Sequence, residues 1–286
     1  MTNSSLKPAV PFIKAHATGN DFVVIDSVAQ SVNLANTEVV ALCQRQTGIG
    51  ADGLLRIAKA VDFSVADANY FMDYRNADGT IAETCGNGLR VFARVLIELG
   101  YEKPGTFTVG TRAGTIRVTV SPDDTNFENI AVQMGKPQSH SASDIQIQTE
   151  TGSWVGVGVF MPNPHCVVRV KDLQSAGTLS SSPKVSPVSA FPEGVNVEFI
   201  ESLGNHQIAM RTFERGVGET LSCGSGACAA ASVWARENNL TTPWTIQVDV
   251  LGGSLFIDSA IDGTLTLRGP AKVVAMGDAK GFEWQI

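Results

Sequence analysis

The chain carries one short motif twice. Residues 84–88, Thr-Cys-Gly-Asn-Gly, recur as residues 222–226, Ser-Cys-Gly-Ser-Gly. Asn76 and Glu214 stand at the same distance before the two cysteines, and each follows a segment with an aromatic residue near its end. Because matching flanks accompany the motif, the sequence predicts that one structural unit is used twice.

Each copy of the motif stands before a predicted helix. The spacing of apolar residues predicts helices over 89–99 and about 227–237, and a shorter helix over 36–45. Apolar runs bounded by turn residues predict strands over 22–25, 70–74, 106–109, 115–120, 195–200, 207–213, 245–250 and 253–257. Segments 139–144 and 180–192 are rich in Ser and Pro and are predicted to be surface loops. One long helix among strands in each half indicates an α+β fold of two similar units.

The Cys-Gly-x-Gly motif is suited to acid–base chemistry. Two glycines allow a tight turn and leave backbone N–H groups at a helix N-terminus, where they can bind a carboxylate. The same helix end is expected to lower the pKa of a thiol from about 8.5 toward neutrality. If the halves face each other, one thiolate removes the proton of an α-carbon while a thiol on the opposite face returns one. The repeat therefore predicts that Cys85 and Cys223 invert an α-carbon, and no lysine motif suggests pyridoxal phosphate.

Composition argues against several other classes of protein. The 286 residues have a net charge of -7, so no basic face is expected to bind nucleic acid or an anionic membrane. No apolar stretch approaches the roughly 18 residues that span a bilayer, and residues 1–11 lack the apolar run of a secretory signal. We therefore expect a cytoplasmic protein.

The remaining cysteines and the histidines give weaker signals. The sequence has an odd number of cysteines without zinc-ligand spacing, so no metal site is predicted, and Cys43, Cys166 and Cys228 are interpreted as small buried hydrophobic residues. His165 lies in a Pro-Asn-Pro-His turn, which is as typical of a structural residue as of a functional one. A Gly-Val-Gly turn after Glu214 and Arg215 favours exposure of both toward the second cysteine motif.

Seven blocks of sequence, in order along nearly the whole chain, resemble the diaminopimelate epimerase family. They are residues 19–22, 48–53, 76–79, 85–90, 163–165, 196–199 and 214–226. The resemblance implies inversion of one α-carbon of LL-diaminopimelate to give the meso isomer, in lysine and cell-wall precursor biosynthesis, without a cofactor. It also implies two α/β units, each a sheet wrapped around a central helix, with the active site in the cleft between them. The units are expected over 1–130, with a returning strand over 271–286, and over 131–270.

The resemblance also implies roles for individual residues. Cys85 and Cys223 are expected to be the acid–base residues, with His165 and Glu214 as helpers that tune or relay protons. The expected substrate-binding residues are Asn20, Asn76, Gly86, Asn87, Asn163, Asn196, Glu214, Arg215, Gly224 and Ser225. Two departures concern binding: Gly53 stands where many members carry a substrate-contacting Gln, and Ser225 stands where Thr is usual.

Three other functions remain open from the residues alone. A proline or hydroxyproline racemase would share the two-thiol mechanism but bind a cyclic imino acid. An isomerase that uses a carboxylate is disfavoured by the cysteine pair, and a non-catalytic amino-acid-binding or redox-sensing protein would not exchange an α-proton. The sequence does not fix the oligomeric state, and a homodimer is compatible with it.

Overall fold

A computed structural model describes residues 9–142 and 144–280. The chain divides into two compact units. Unit 1 comprises the described residues up to Ile130 and those from Pro270 onward, and unit 2 is Ala131–Gly269. No helix among the described residues is long and apolar enough to cross a membrane.

The described residues form strands around a few helices. In chain order the strands are β1 (Val10–Ala17), β2 (Asn20–Asp26), β3 (Gly53–Lys59), β4 (Tyr70–Asn76), β5 (Gly105–Thr111), β6 (Gly114–Val120), β7 (Ile130–Gly135), β8 (Gln138–Ser139), β9 (Ile145–Gln148), β10 (Ser153–Phe160), β11 (Pro164–Arg169), β12 (Lys184–Ser186), β13 (Asn196–Gly204), β14 (Gln207–Glu214), β15 (Gly218–Thr220), β16 (Trp244–Val250), β17 (Gly253–Ser259), β18 (Leu265–Gly269) and β19 (Lys272–Ala279). The α-helices are α1 (Asn36–Cys43), α2 (Gly86–Glu98) and α3 (Gly224–Glu237), and short 3₁₀ helices cover Ala60–Phe63, Leu173–Ala176 and Val188–Ala190.

Unit 1 is a sheet in the order β19-β1-β2-β3-β4-β5-β6. Helix α2 contacts β1, β2, β3, β4 and β6, and its residues Leu89, Val91, Phe92, Val95 and Leu96 are fully or almost fully buried. Apolar side chains on several sides of this helix explain why one sheet wraps around it. Strand β19 pairs antiparallel with β1, which returns the chain to this unit. The last residues of the predicted returning strand, 281–286, lie outside the described residues.

Unit 2 repeats the arrangement. Its strands follow the order β9-β10-β11-β13-β14-β16-β17-β18-β7, with the short strands β8, β12 and β15 paired to β10, β9 and β14. Helix α3 contacts seven of these strands, from β10 to β18. The helix is rich in alanine, and its buried residues Ala227, Ala229, Ala230, Ala231 and Ala235 allow the strands to pack close to its axis.

Strand pairing confirms the duplication. From β1 to β6 the successive pairs are antiparallel, parallel, antiparallel, parallel and antiparallel. The series β10, β11, β13, β14, β16, β17 follows the same alternation. The parallel pairs place Phe22 beside Gly53 in one unit and His165 beside Asn196 in the other, so these positions correspond. The prediction of an α+β fold of two similar units, each a sheet around a helix, is therefore confirmed.

The long helices begin earlier than predicted. They start at Gly86 and Gly224 rather than at 89 and about 227, directly after the two cysteines. The glycines have low helix propensity, but the cysteine side chains cap the helices and allow the first turn to form. Short strands also occur in the two predicted loops. Strand β8 ends at the start of the loop predicted over 139–144, and β12 lies within the one predicted over 180–192. Residue 143 of the first loop lies outside the described residues.

Candidate active site

Cys85 is the N-cap residue of α2. Its Sγ accepts a hydrogen bond from the backbone N–H of Gly88 at 3.4 Å, and the side chain is half-buried. Its thiol also faces Asn20, with 3.8 Å between Sγ and Oδ1. Gly86 and Asn87 form the first turn of this helix, where backbone N–H groups lack helical partners. The thiol thus lies beside a set of donors suited to a carboxylate.

The amide of Asn20 is fixed by its neighbours. Its Oδ1 accepts from Nδ2 of Asn87 at 3.2 Å, and its own Nδ2 donates to Oδ2 of Asp52 at 2.8 Å. Arg45 in turn donates to Oδ1 of Asp52 at 2.7 Å. Because the Asp52 carboxylate can only accept hydrogen bonds, the Asn20 amide directs its nitrogen toward Asp52. Its oxygen therefore lies on the side of Cys85. Asp52 is not among the residues predicted from sequence, although it lies in the block 48–53.

Asn76 lies at the end of β4, beside Gly53 in the antiparallel register. Its Nδ2 donates to Oγ1 of Thr80 at 3.0 Å, which anchors the turn after the strand. A Cβ at position 53 would lie 2.7 Å from the carbonyl oxygen of Arg75 and 2.8 Å from the ring of Tyr74. The departure at Gly53 therefore has a steric reason: the Tyr74 ring occupies the space of a side chain there.

Cys223 is the N-cap residue of α3. Its Sγ accepts from the backbone N–H of Gly226 at 3.4 Å and lies 3.5 Å from the hydroxyl of Ser225, while Gly224 is the first helical residue. Burial raises the pKa of this thiol well above its ordinary value, and the charges of Glu214 and Glu198 act in the same direction. The expectation that the helix end brings the pKa toward neutrality is wrong for Cys223. Desolvation and two carboxylates outweigh the hydrogen bonds from Ser225 and Gly226.

Glu214 ends β14 and is held in place by a short hydrogen bond. Oγ1 of Thr220, on the paired strand β15, donates to Oε1 of Glu214 at 2.6 Å. The effect of its charge on the pKa of Cys223 indicates that the carboxylate lies near the thiol. The predicted association of Glu214 with the second cysteine motif is consistent with this arrangement.

His165 is completely buried and lies between two oxygen atoms. Its Nδ1 is 2.7 Å from Oε1 of Glu198, and its Nε2 is 2.9 Å from Oδ1 of Asn163. Glu198 is also completely buried. Glu198 is not among the residues predicted from sequence. The signal that could have identified it is its position in the block 196–199, on the strand that pairs with the His165 strand.

Asn196 and Arg215 are joined through the backbone. Oδ1 of Asn196 accepts from the backbone N–H of Arg215 at 2.9 Å, and the guanidinium of Arg215 donates to the carbonyl oxygen of Glu193 at 2.7 Å. Arg215 also lines a cavity of about 390 Å³ within unit 2, together with Phe213 and the segment from Ser180 to Pro183. The planar guanidinium keeps further N–H groups that suit recognition of a carboxylate.

The predicted residues thus fall into two groups, one in each unit. Cys85, Asn20 and Asn87 are joined by hydrogen bonds in unit 1, which also contains Gly86 and Asn76. The unit 2 group is larger and comprises Cys223, Gly224, Ser225, His165, Asn163, Asn196, Glu214 and Arg215. Among the described residues, no group of three His, Cys, Asp or Glu side chains could hold a metal ion.

Comparison with known sequences gives a consistent result. The model of the diaminopimelate epimerase family matches residues 12–140 and 157–280. The diaminopimelate epimerase of Streptomyces coelicolor is 42% identical over 279 residues, which cover 94% of this chain and 95% of the relative. The diaminopimelate epimerase of Corynebacterium glutamicum is 41% identical over 277 residues, which cover 95% of this chain and 98% of the relative.

The fold also has solved counterparts. The crystal structure of a hydroxyproline epimerase from Agrobacterium vitis superposes with a TM-score of 0.71, covering 96% of this chain and 93% of that one. Its sequence is only 14% identical, so this likeness concerns the fold alone.

Proposed function

The chain belongs to the diaminopimelate epimerase family, and we propose that Cys85 and Cys223 are the acid–base pair with which it epimerises diaminopimelate. An epimerase is an isomerase, and this reaction belongs to lysine and cell-wall precursor biosynthesis. The observation that supports the assignment is the matched placement of the thiols. Each is the N-cap of the central helix of its unit, beside N–H groups of the first helical turn.

The proposed reaction moves one proton off the α-carbon and another onto it. The thiolate of one cysteine takes the α-proton, and the thiol of the other donates a proton to the opposite face, so the centre inverts. The raised pKa of Cys223 supports a role as the proton donor in the free protein, with Cys85 as the base. After each inversion the protonation states are exchanged, which prepares the protein for the reverse direction.

The helix N-termini supply the electrostatic stabilisation that this step requires. Negative charge develops next to the α-carboxylate as the proton leaves, and fixed N–H donors lower its energy. We assign this carboxylate to Gly86 and Asn87 in one unit and to Gly224 and Ser225 in the other. The other end of the substrate is assigned to Asn20, Asn76, Asn163, Asn196, Glu214 and Arg215. These side chains offer acceptors for an ammonium group and donors for a carboxylate.

The cellular setting is part of the proposal. We place the protein in the cytoplasm, acting on a small molecule, with no nucleic-acid or membrane partner and no cofactor. The net charge of -7 supports the absence of an anionic polymer as partner. Sedimentation of the purified protein would show whether it forms the homodimer that the sequence allows.

An exchange experiment tests the proposed function. The protein is incubated in deuterated water with LL-diaminopimelate, meso-diaminopimelate or L-proline, and α-deuterium and configuration are measured by NMR and chiral chromatography. We expect deuterium in the newly formed epimer of either diaminopimelate and none in proline. Exchange in proline would favour the imino-acid racemase, and no exchange in any substrate would favour a binding or sensing protein.

Arg215 provides a prediction about the distal end of the substrate. A charge-assisted contact contributes about 1.5–3 kcal/mol, so Arg215→Ala is expected to lower kcat/KM by about 10- to 100-fold, mainly through KM. Arg215→Lys should restore only part of this, because lysine lacks the planar fork. Arg169→Ala is the control, since Arg169 pairs with Glu237 at the surface. Wild-type kinetics in Arg215→Ala would show that the distal end binds elsewhere.

A further inference from the structure

The second thiol site contains a buried carboxylate that has no assigned role. We propose that Glu198 is a positioning residue of this site: it holds the His165 ring, and through it Asn163, and it places a negative charge beside Cys223. The proposal deepens the proposed function, because it names the group that makes the environments of the two thiols different.

Glu198 holds His165 by direct contact. Both side chains are completely buried, and Nδ1 lies 2.7 Å from Oε1. A carboxylate that accepts from Nδ1–H fixes the proton position and the orientation of the ring. The opposite nitrogen then lies 2.9 Å from Oδ1 of Asn163, so the orientation of this amide depends on the same contact. One carboxylate therefore sets the geometry of two predicted site residues.

Glu198 also lies close to Cys223, with only Gly226 between them. A Cβ at 226 would be 2.6 Å from Oε1 of Glu198 and 3.2 Å from Sγ of Cys223. The absence of a side chain at this position is what allows the carboxylate and the thiol to approach each other. Two strands thus direct carboxylates at this thiol: Glu198 from β13 and Glu214 from β14, and both raise its pKa. The Ser225 hydroxyl and the backbone N–H of Gly226 also lie at this thiol, and the His165 ring lies on the other side of Glu198.

The arrangement is unfavourable for stability alone. Oε2 of Glu198 is buried and has no hydrogen-bond partner among the described residues. A buried polar atom left in this state costs about 1–3 kcal/mol, and more when it is charged. A core selected only for stability would place an apolar residue here, so the retained carboxylate points to a role in the site.

Unit 1 has such an apolar arrangement at the corresponding place. The positions that match His165 and Glu198 in the sheet register are Phe22 and Leu55. A Cβ at Gly88 would contact these two residues, at 3.6 Å from Phe22 and 3.4 Å from Leu55. The first thiol site therefore rests on an apolar pair and the second on a His–Glu pair. Glu198 is expected to act on Cys223 and not on Cys85.

Thiol reactivity tests this difference without substrate. The full-length protein and its Glu198→Gln variant are treated with iodoacetamide at pH 7.5, and alkylation of each cysteine is followed over time by peptide mass spectrometry. Loss of the adjacent charge should increase the thiolate fraction of Cys223, so we expect its alkylation to be about tenfold faster. The rate at Cys85 should stay within about twofold. Glu201→Gln on the same strand is the control, because Glu201 bonds the backbone of Leu173, and it should leave both rates unchanged.

Two results would overturn the proposal. One is an unchanged rate at Cys223 in Glu198→Gln; the other is an equal rise at Cys85, which would indicate general loosening. The assay is also independent of turnover. Faster alkylation in a protein without epimerase activity would refute the proposed function alone, and an active protein with unchanged alkylation would refute the role of Glu198 alone.

A measurement on the unmodified chain covers the case in which the Gln variant does not fold. The protein has four histidines, so ¹⁵N-histidine labelling gives a simple spectrum, and a His165→Gln sample identifies the signals that belong to His165. We expect Nδ1 of His165 to be protonated, as a donor to Glu198. An unprotonated Nδ1 would contradict the proposed contact.

Discussion

Replacement of Cys223 by alanine is expected to lower kcat by about 10²- to 10⁴-fold, the contribution of a positioned general acid or base. In the proposed mechanism this thiol is the group that returns a proton to the second face of the α-carbon. The variant should remain folded, because Cys223 is small and lies at a helix end, where the loss of a cap costs about 1 kcal/mol. The measurement is epimerisation of LL-diaminopimelate by chiral chromatography, with circular dichroism as the test of folding.

Cys85→Ala should have an effect of similar size, and Cys228→Ala is the matched control. Cys228 is likewise buried, but it lies within α3 and packs in the apolar core of unit 2. We expect it to retain activity within about threefold, with a modest loss of stability. Near wild-type turnover in either Cys85→Ala or Cys223→Ala would contradict the two-base mechanism.

Serine in place of either cysteine separates shape from acidity. A hydroxyl keeps the size of the side chain but is a much weaker acid than a thiol at neutral pH. We therefore expect strongly reduced turnover in Cys223→Ser with unchanged substrate binding. Equal activity of the Ser and Cys forms would show that the thiol proton is not the one transferred.

The duplication could be predicted from sequence because its signals are local. Cys-Gly-x-Gly, a following apolar helix and a preceding strand recur together, and each depends on neighbours along the chain. Prediction of strands from local sequence fails where a glycine within a sheet makes room for a neighbouring side chain. No strand was predicted over 153–160, yet β10 lies there. A Cβ at Gly156 would collide with the sulfur of Cys166, and one at Gly158 would lie 2.5 Å from His140, so these glycines make room for neighbouring side chains.

The chemistry of the second thiol could be predicted only in part. A helix N-terminus near a thiol is visible in the sequence, and it predicts a lowered pKa. Desolvation and the approach of Glu214 and Glu198 depend on tertiary packing, and they raise the pKa of Cys223 instead of lowering it. The contact between Asp52 and Asn20 also depends on tertiary packing, because the two residues belong to different segments that the sheet brings together. Local motifs thus identify reactive groups, and the surrounding fold sets their protonation.

The last glycines of the two Cys-Gly-x-Gly motifs, Gly88 and Gly226, are expected to respond very differently to alanine. At Gly226 a Cβ would lie 2.6 Å from Oε1 of Glu198 and 3.2 Å from the sulfur of Cys223, and neither neighbour has free space in the core. We expect Gly226→Ala to lower the free energy of unfolding by about 1–3 kcal/mol through overpacking. The same overpacking should displace the thiol, and a displacement of about 1 Å lowers kcat by about 100-fold.

Gly88→Ala is the matched control at the corresponding position of α2. Its Cβ would lie 3.4 Å or more from Cys85, Leu55 and Phe22, which is ordinary van der Waals contact. Alanine also favours the helix over glycine by up to about 1 kcal/mol, so this variant should be as stable as the parent or slightly more stable. Its kcat should stay within about threefold, since the cap of Cys85 is unchanged. Urea unfolding and initial-rate measurements on both variants test the pair. Equal losses at Gly88 and Gly226 would contradict the inference that the His–Glu pair, and not the Cys-Gly-x-Gly turn itself, makes the second site intolerant of a side chain.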